Sequence, residues 1–157
     1  MKRPVVAALL LAALPAAAPA MDNIAVQPNA LKWGPAPPGL PPGAQVAVVA
    51  GDPSKEVPYV VRARLPRGYK IMPHTHPTAE NITVLVGTFH IAMGDKFDAT
   101  KSEAVGPGGF FTADKGMQHY GWTTTPTVIQ IHGMGPFAIN YVNPADDPRN
   151  KTSEKKQ

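Results

Sequence analysis

Apolar and polar residues alternate along this chain in short runs, and the runs stop at glycine or proline. Residues 45–50 (Gln-Val-Ala-Val-Val-Ala) form the first clear run, closed by Gly51-Asp52-Pro53. Residues 59–65 follow, with Arg62 and Arg64 two positions apart and therefore on one face of a strand. Pro66-Arg67-Gly68 reads as a turn, and residues 69–72 lead into a pair of histidines. Residues 81–86 and 88–93 lie either side of Gly87, and Gly94-Asp95 turns the chain. Residues 100–107 are polar, a loop or short edge strand. Further strands are expected over 108–112, 118–123, 127–132 and 137–142. Beyond the N-terminal region, no stretch of more than about ten residues keeps a period of 3.6, so helices are not expected. Roughly nine or ten short strands bounded by turns point to an all-β sandwich or barrel.

Composition supports that picture and marks the ends. Hydrophobic residues make up 43% and charged residues 17%, the balance of one globular domain. The 19 prolines and 14 glycines favour short elements over long helices. Residues 1–20 read as a cleavable signal peptide: Lys2 and Arg3, an apolar run from Val5 to Leu14, then Ala18-Pro19-Ala20 at the cleavage positions. That run is too short for a bilayer span, which needs about 20 apolar residues. The mature protein is therefore expected in the periplasm or outside the cell, with no stable membrane anchor. Residues 21–44 form a Pro-rich extended lead-in in which Leu31 and Trp33 are candidates to pack over one end of the core. Residues 45–143 are the expected barrel, and 144–157 a polar, solvated tail.

Charge and cysteine content exclude several functions. Without Lys2 and Arg3 the 15 basic residues become 13 against 11 acidic, and the net charge falls from +4 to +2. There is no basic patch with interleaved aromatics, so no nucleic-acid role is expected. With no cysteine there are no disulfides, thiolate metal sites or cysteine nucleophiles. Neither a nucleophilic triad in a recognised context nor a phosphate-binding glycine loop is present.

The chemistry concentrates between Gly68 and Gly87. His74 and His76 sit one residue apart and so share a strand face, and Glu80 follows four residues later. A same-face histidine pair with a nearby carboxylate is a candidate metal clamp. The spacing Gly, five residues, His, one, His, three, Glu, six, Gly is complete. This stretch resembles the first signature motif of the cupin superfamily. The second motif is matched by Gly108, Gly116 and His119, with Asp114 where the family has proline and Thr123 where it has asparagine. Those two departures touch turn stiffness and strand-end bonding. The segments at 42–45, 51–53, 135–137 and 146–149 are also similar to a group of small bacterial single-domain cupins, many of them exported.

The resemblance implies a double-stranded β-helix, the jelly-roll cupin barrel, in which His74, His76, Glu80 and His119 hold one divalent transition metal. Three imidazoles and a carboxylate suit Fe, Mn, Ni, Cu, Co or Zn. Cupins include dioxygenases, sugar isomerases and lyases, so the expected function is metal-dependent chemistry on a small organic molecule, with Glu80 as candidate base. The alternatives are a non-catalytic periplasmic metal- or ligand-binding module and a structural zinc staple. Pairing of cupin barrels through their sheets implies a homodimer. Ile82, Val84, Phe110 and Ile129 are the expected apolar lining. Gln130 is a candidate to line the barrel and orient a ligand. His90 and His132, on strands among apolar neighbours, are expected to be structural rather than ligating. Tyr69, Met72, Phe111, Tyr120 and Trp122 are expected in core or rim packing.

Overall fold

Two antiparallel sheets face each other, and the chain passes repeatedly from one to the other (a computed structural model describing residues 25–151). The expected leader at 1–20 and the last residues of the tail lie outside that range. The strands are β1 (Gly34–Pro35), β2 (Gln45–Gly51), β3 (Pro58–Leu65), β4 (Lys70–Thr75), β5 (Glu80–Val86), β6 (Phe89–Met93), β7 (Glu103–Val105), β8 (Phe110–Ala113), β9 (His119–Thr123), β10 (Thr127–Met134) and β11 (Asn140–Tyr141). One sheet has the order β1-β2-β3-β10-β5-β8 and the other β11-β4-β9-β6-β7. From β4 to β6 each strand lies in the opposite sheet from its predecessor, as do β8 to β11. This is jelly-roll winding, the all-β class expected from the turn-bounded runs.

Strand alternation builds the core. Along β3, Tyr59, Val61, Ala63 and Leu65 are buried while Val60, Arg62 and Arg64 point away. Along β10, Ile129 and Ile131 face inward, and along β5, Ile82 and Val84. Phe89 and Ile91 of β6 and Ile71 of β4 close the interior from the other sheet. Each such side chain contributes about 1.5–3 kcal/mol when fully buried. Gly121 of β9 is a necessary gap: a Cβ there would stand 2.3 Å from the Phe89 ring.

Several sequence readings change. Residues 137–142 do not form a continuous strand: only Asn140 and Tyr141 pair, with Thr75 and His74. Phe137 is tied instead to the loop after β2, its N–H donating to Pro53 O at 2.7 Å. Phe110 is 55% exposed and does not line the interior; the inward residue is its neighbour Phe111. Two adjacent phenylalanines leave the face of a short strand undetermined by alternation alone. Gln130 lies on the outer face, accepting a hydrogen bond from Arg62 Nε at 3.0 Å, so it orients no ligand inside.

The Pro-rich segment is knitted to the barrel. Gly34 and Pro35 extend the larger sheet by pairing with Val46 and Gln45. Tyr69 donates to Pro41 O at 2.6 Å and Tyr141 to Gly39 O at 2.9 Å, which holds Leu40 against the core. Trp33 packs on the Arg64 guanidinium, 3.8 Å from ring centre to carbon, outside the core. Past β11 the chain makes a short helix, Pro148–Lys151, and Arg149 donates back to Ile139 O at 3.0 Å.

Candidate metal centre

The two histidines of the first motif face inward because β4 is interrupted. The β4–β9 register shifts between Ile71 and His74, so Met72 and Pro73 have no β9 partner. The extra residue moves the inward position from odd to even numbers, which turns His74 and then His76 into the interior. His74 pairs directly with His119 of β9. Glu80, the first residue of β5, enters from the opposite sheet. The second motif is bound to the first through a turn at Asp114–Met117: Gly116, at φ +76°, donates its N–H to His76 O at 3.0 Å. At that φ a side chain would be strained.

All four residues are buried, none more than 4% exposed. The ligand nitrogens of His74, His76 and His119 lie within 4.8 Å of one another, so the three can hold a metal ion. Glu80 Oε2 stands 3.2 Å from His76 Nε2 and 3.3 Å from His119 Nε2. Each Nδ1 meets a backbone carbonyl: His74 with Met72 O at 2.7 Å, His76 with Ala138 O at 2.7 Å, and His119 with Met117 O at 3.0 Å. A carbonyl only accepts, so each neutral ring carries its proton on Nδ1 and turns an Nε2 lone pair toward the centre.

That arrangement calls for a cation. Three lone pairs and a carboxylate oxygen, acceptors all, face one another in a water-poor interior. His76 Nε2, although 3.2 Å from Glu80, has no aligned hydrogen-bond partner. The electrostatics agree. Burial, then the neighbouring His119 and His76, push His74 down to about 3, so it is neutral. Burial also pushes His76 down, but the close, charged Glu80 carboxylate prevails and shifts it upward. Burial pushes Glu80 up, yet the contacts with His119 and His76 outweigh it and hold the carboxyl well below the usual range. The site is thus an anion with three imidazoles around it, and a divalent metal fits this donor set.

Beside the centre lies a cavity of about 90 Å³, walled by apolar side chains including Leu40, Val61, Ile82, Ile91, Ile131 and Ile139. By the rule that about 10–15 Å³ of such space holds one water, it takes several waters or one small molecule. Ile82 and Ile129 line it as expected, whereas Val84 is core behind the wall. Phe137 stacks on His76, with ring centres 4.9 Å apart at 26°. His90 is elsewhere, stacked on Trp122 at 4.1 Å, and His132 lies 6.4 Å from the exposed Phe110 ring. Thr123 serves the strand end: it donates to Pro66 O at 2.7 Å and accepts from Tyr69 N at 3.0 Å.

Some participants carry no motif. The carbonyls of Met72, Met117 and Ala138 are invisible to a side-chain reading. Phe137 and Tyr59 were open to one: Tyr59 falls on the inward phase of β3 set by Val61, Ala63 and Leu65.

Comparison with known proteins agrees with this geometry. A family model described as the ChrR cupin-like domain matches residues 21–138. The chain belongs to that family. This ChrR cupin-like protein shares its fold with the polyketide cyclase RemF from Streptomyces resistomycificus, at 20% identity and TM-score 0.65, over 83% of this chain and 93% of that one. A putative acetylacetone dioxygenase from Methylibium petroleiphilum is similar at 14% identity and TM-score 0.63, over 85% and 90% of the two chains. KdgF from Halomonas sp. matches at 22% identity and TM-score 0.53, over 69% and 93%. These likenesses establish the cupin fold. No curated protein matches the sequence.

Proposed function

We propose that this protein is an exported metal-dependent enzyme acting on a small, oxygen-bearing organic molecule. Its centre is formed by His74, His76, His119 and Glu80, and its chemistry is of the dioxygenase or isomerase/lyase kind. The observation that carries the reading is the convergence of three Nε2 lone pairs and Glu80 Oε2, with every Nδ1 fixed on a backbone carbonyl. A bound divalent metal would supply Lewis acidity toward a substrate hydroxyl, enolate or carboxylate and, if redox-active, electron transfer with dioxygen. The protein's own residues do the rest. Apolar walls exclude water and favour a compact, partly apolar substrate. The carbonyl-anchored imidazoles hold their orientation through turnover. Glu80, the one buried carboxylate among the described residues, accepts a proton at Oε2 when its contact with the centre loosens.

The test is elemental analysis of protein isolated from its native compartment, then nitric oxide or azide binding to the metal-loaded form. A changed spectrum on adding either ligand, followed by turnover in an aerobic screen of diphenols and β-diketones, supports the enzyme. A bound metal with no exchangeable position would sink the catalytic reading. It would leave the alternative of a non-catalytic binding module or zinc staple, which the small cavity favours. Intact mass of the exported protein tests cleavage after Ala20, and light scattering tests the homodimer.

A further inference from the structure

One buried group next to the centre has no role in this chemistry so far. Tyr59 is 1% exposed, and its hydroxyl has no hydrogen-bond partner among the described residues. A buried hydroxyl without a partner is destabilising, so its retention needs a reason. The sheet register supplies one. Tyr59 of β3 pairs with Gly133 of β10, and Gly133 pairs with Glu80 of β5. Tyr59 and Glu80 therefore stand in one row on the inner face, with a glycine between them. The Tyr59 ring leans into that gap: a Cβ on Gly133 would lie 3.5 Å from the Tyr59 hydroxyl and 2.8 Å from Ala79 O. The hydroxyl thus reaches across β10 toward the start of β5. Its ring is held there edge-on by Phe137, 5.8 Å away, the same ring that stacks on His76. Tyr59 is not part of the cavity wall, so its hydroxyl is placed behind the centre rather than beside a substrate. On Glu80, both histidine contacts fall on Oε2.

We propose that Tyr59 is a positioning residue for Glu80: its hydroxyl, reaching over Gly133 toward the start of β5, hydrogen-bonds the Glu80 carboxylate in the metal-loaded protein and so fixes it as a ligand through Oε2. This rests on the metal-centre reading above. Outer hydrogen bonds of this kind typically change metal affinity by about 10–100-fold. Gly133 is the permissive element, since a side chain there would occupy the route.

The experiment uses Co(II) as probe, with the dissociation constant from chelator competition and the visible ligand-field spectrum of the loaded protein. Tyr59→Phe removes the hydroxyl and keeps the ring; Tyr59→Leu removes both. The expected result is that Tyr59→Phe weakens Co(II) binding by about 10–100-fold and shifts the spectrum, while the metal-free melting temperature stays the same or rises. If Tyr59→Phe matches the parent in affinity and spectrum and only Tyr59→Leu loses affinity, the ring alone matters and the proposal is overturned. If the parent protein itself takes up no Co(II), the metal-centre reading fails first, and the role for Tyr59 falls with it.

Discussion

At one end of the interior, β5 begins with Glu80 and β9 with His119; toward the other end the same strands turn Ile82, Val84, Gly121 and Thr123 inward. Polar groups are buried at both ends, but they are satisfied in opposite ways. Far from the metal centre, the Thr123 hydroxyl joins Pro66 O to Tyr69 N, and the Thr127 hydroxyl lies 3.1 Å from Thr88 O and 2.9 Å from Thr125 O. There, side chains serve the backbone. At the metal end the backbone serves side chains, through the carbonyls of Met72, Met117 and Ala138. Those carbonyls are available because the ladder is interrupted, by the bulge in β4, the turn before β9, and the segment before β11 that joins no sheet until Asn140. Regular pairing gives a stable interior, and its interruptions give a site.

The contrast can be broken at either end. His76→Ala is expected to have the largest effect: metal binding is lost, and with it the ligand contribution to stability, about 4 kcal/mol at a thousandfold excess over Kd. Elemental analysis and thermal melts with and without chelator measure this, with His90→Ala and His132→Ala keeping full occupancy. A His76→Ala protein with undiminished metal would show the ligand assignment to be wrong. At the apolar end, Ile129→Ala is expected to cost about 2–4 kcal/mol in urea unfolding. Metal affinity should stay within a few-fold of the parent; a loss beyond about tenfold would mean that the two ends are not separable. Thr123→Ala leaves Pro66 O and Tyr69 N unserved and is expected to cost about 1–2 kcal/mol by the same measurement. Thr123→Asn, which restores the residue of the cupin motif, should recover most of that. Smallest of all, truncation after Arg149 keeps the bond to Ile139 O and should change stability by less than about 0.5 kcal/mol, read as a thermal midpoint.

Three residues of the candidate centre stand out in the sequence because their spacing is local: a histidine pair two apart keeps one face wherever the strand runs, and Glu80 follows within the same motif. His119 needed the second motif, and Gly116 shows why the two travel together, since its N–H holds His76 O. The strands over 45–50, 59–65, 81–86 and 127–132 were readable from alternation ended by turns. What alternation missed was phase. The β4 bulge moves Ile71 and His74, three residues apart, onto one face, and nothing in Met72-Pro73 announces that shift. Phe110 and Phe111 could each have been the inward ring. Residues 137–142 carry a strand-like pattern, yet Phe137 and Ile139 are drawn to the cavity wall before pairing begins at Asn140. Tyr59 shows a different kind of miss: its phase was readable, but an unpartnered hydroxyl becomes visible only with its neighbours in place.

The backbone anchoring of the imidazoles has a consequence for how such a chain can diverge. Ligand aim is set by peptide carbonyls, which every substitution preserves as long as the local backbone path is kept. Wall positions such as Val61, Ile91 and Ile131 can then change in size and polarity without re-aiming the rings. Under the proposed function, selection on substrate shape and selection on metal retention would therefore act on nearly independent sets of positions. A library built on the wall residues alone should yield folded, metal-competent proteins that differ in what they admit.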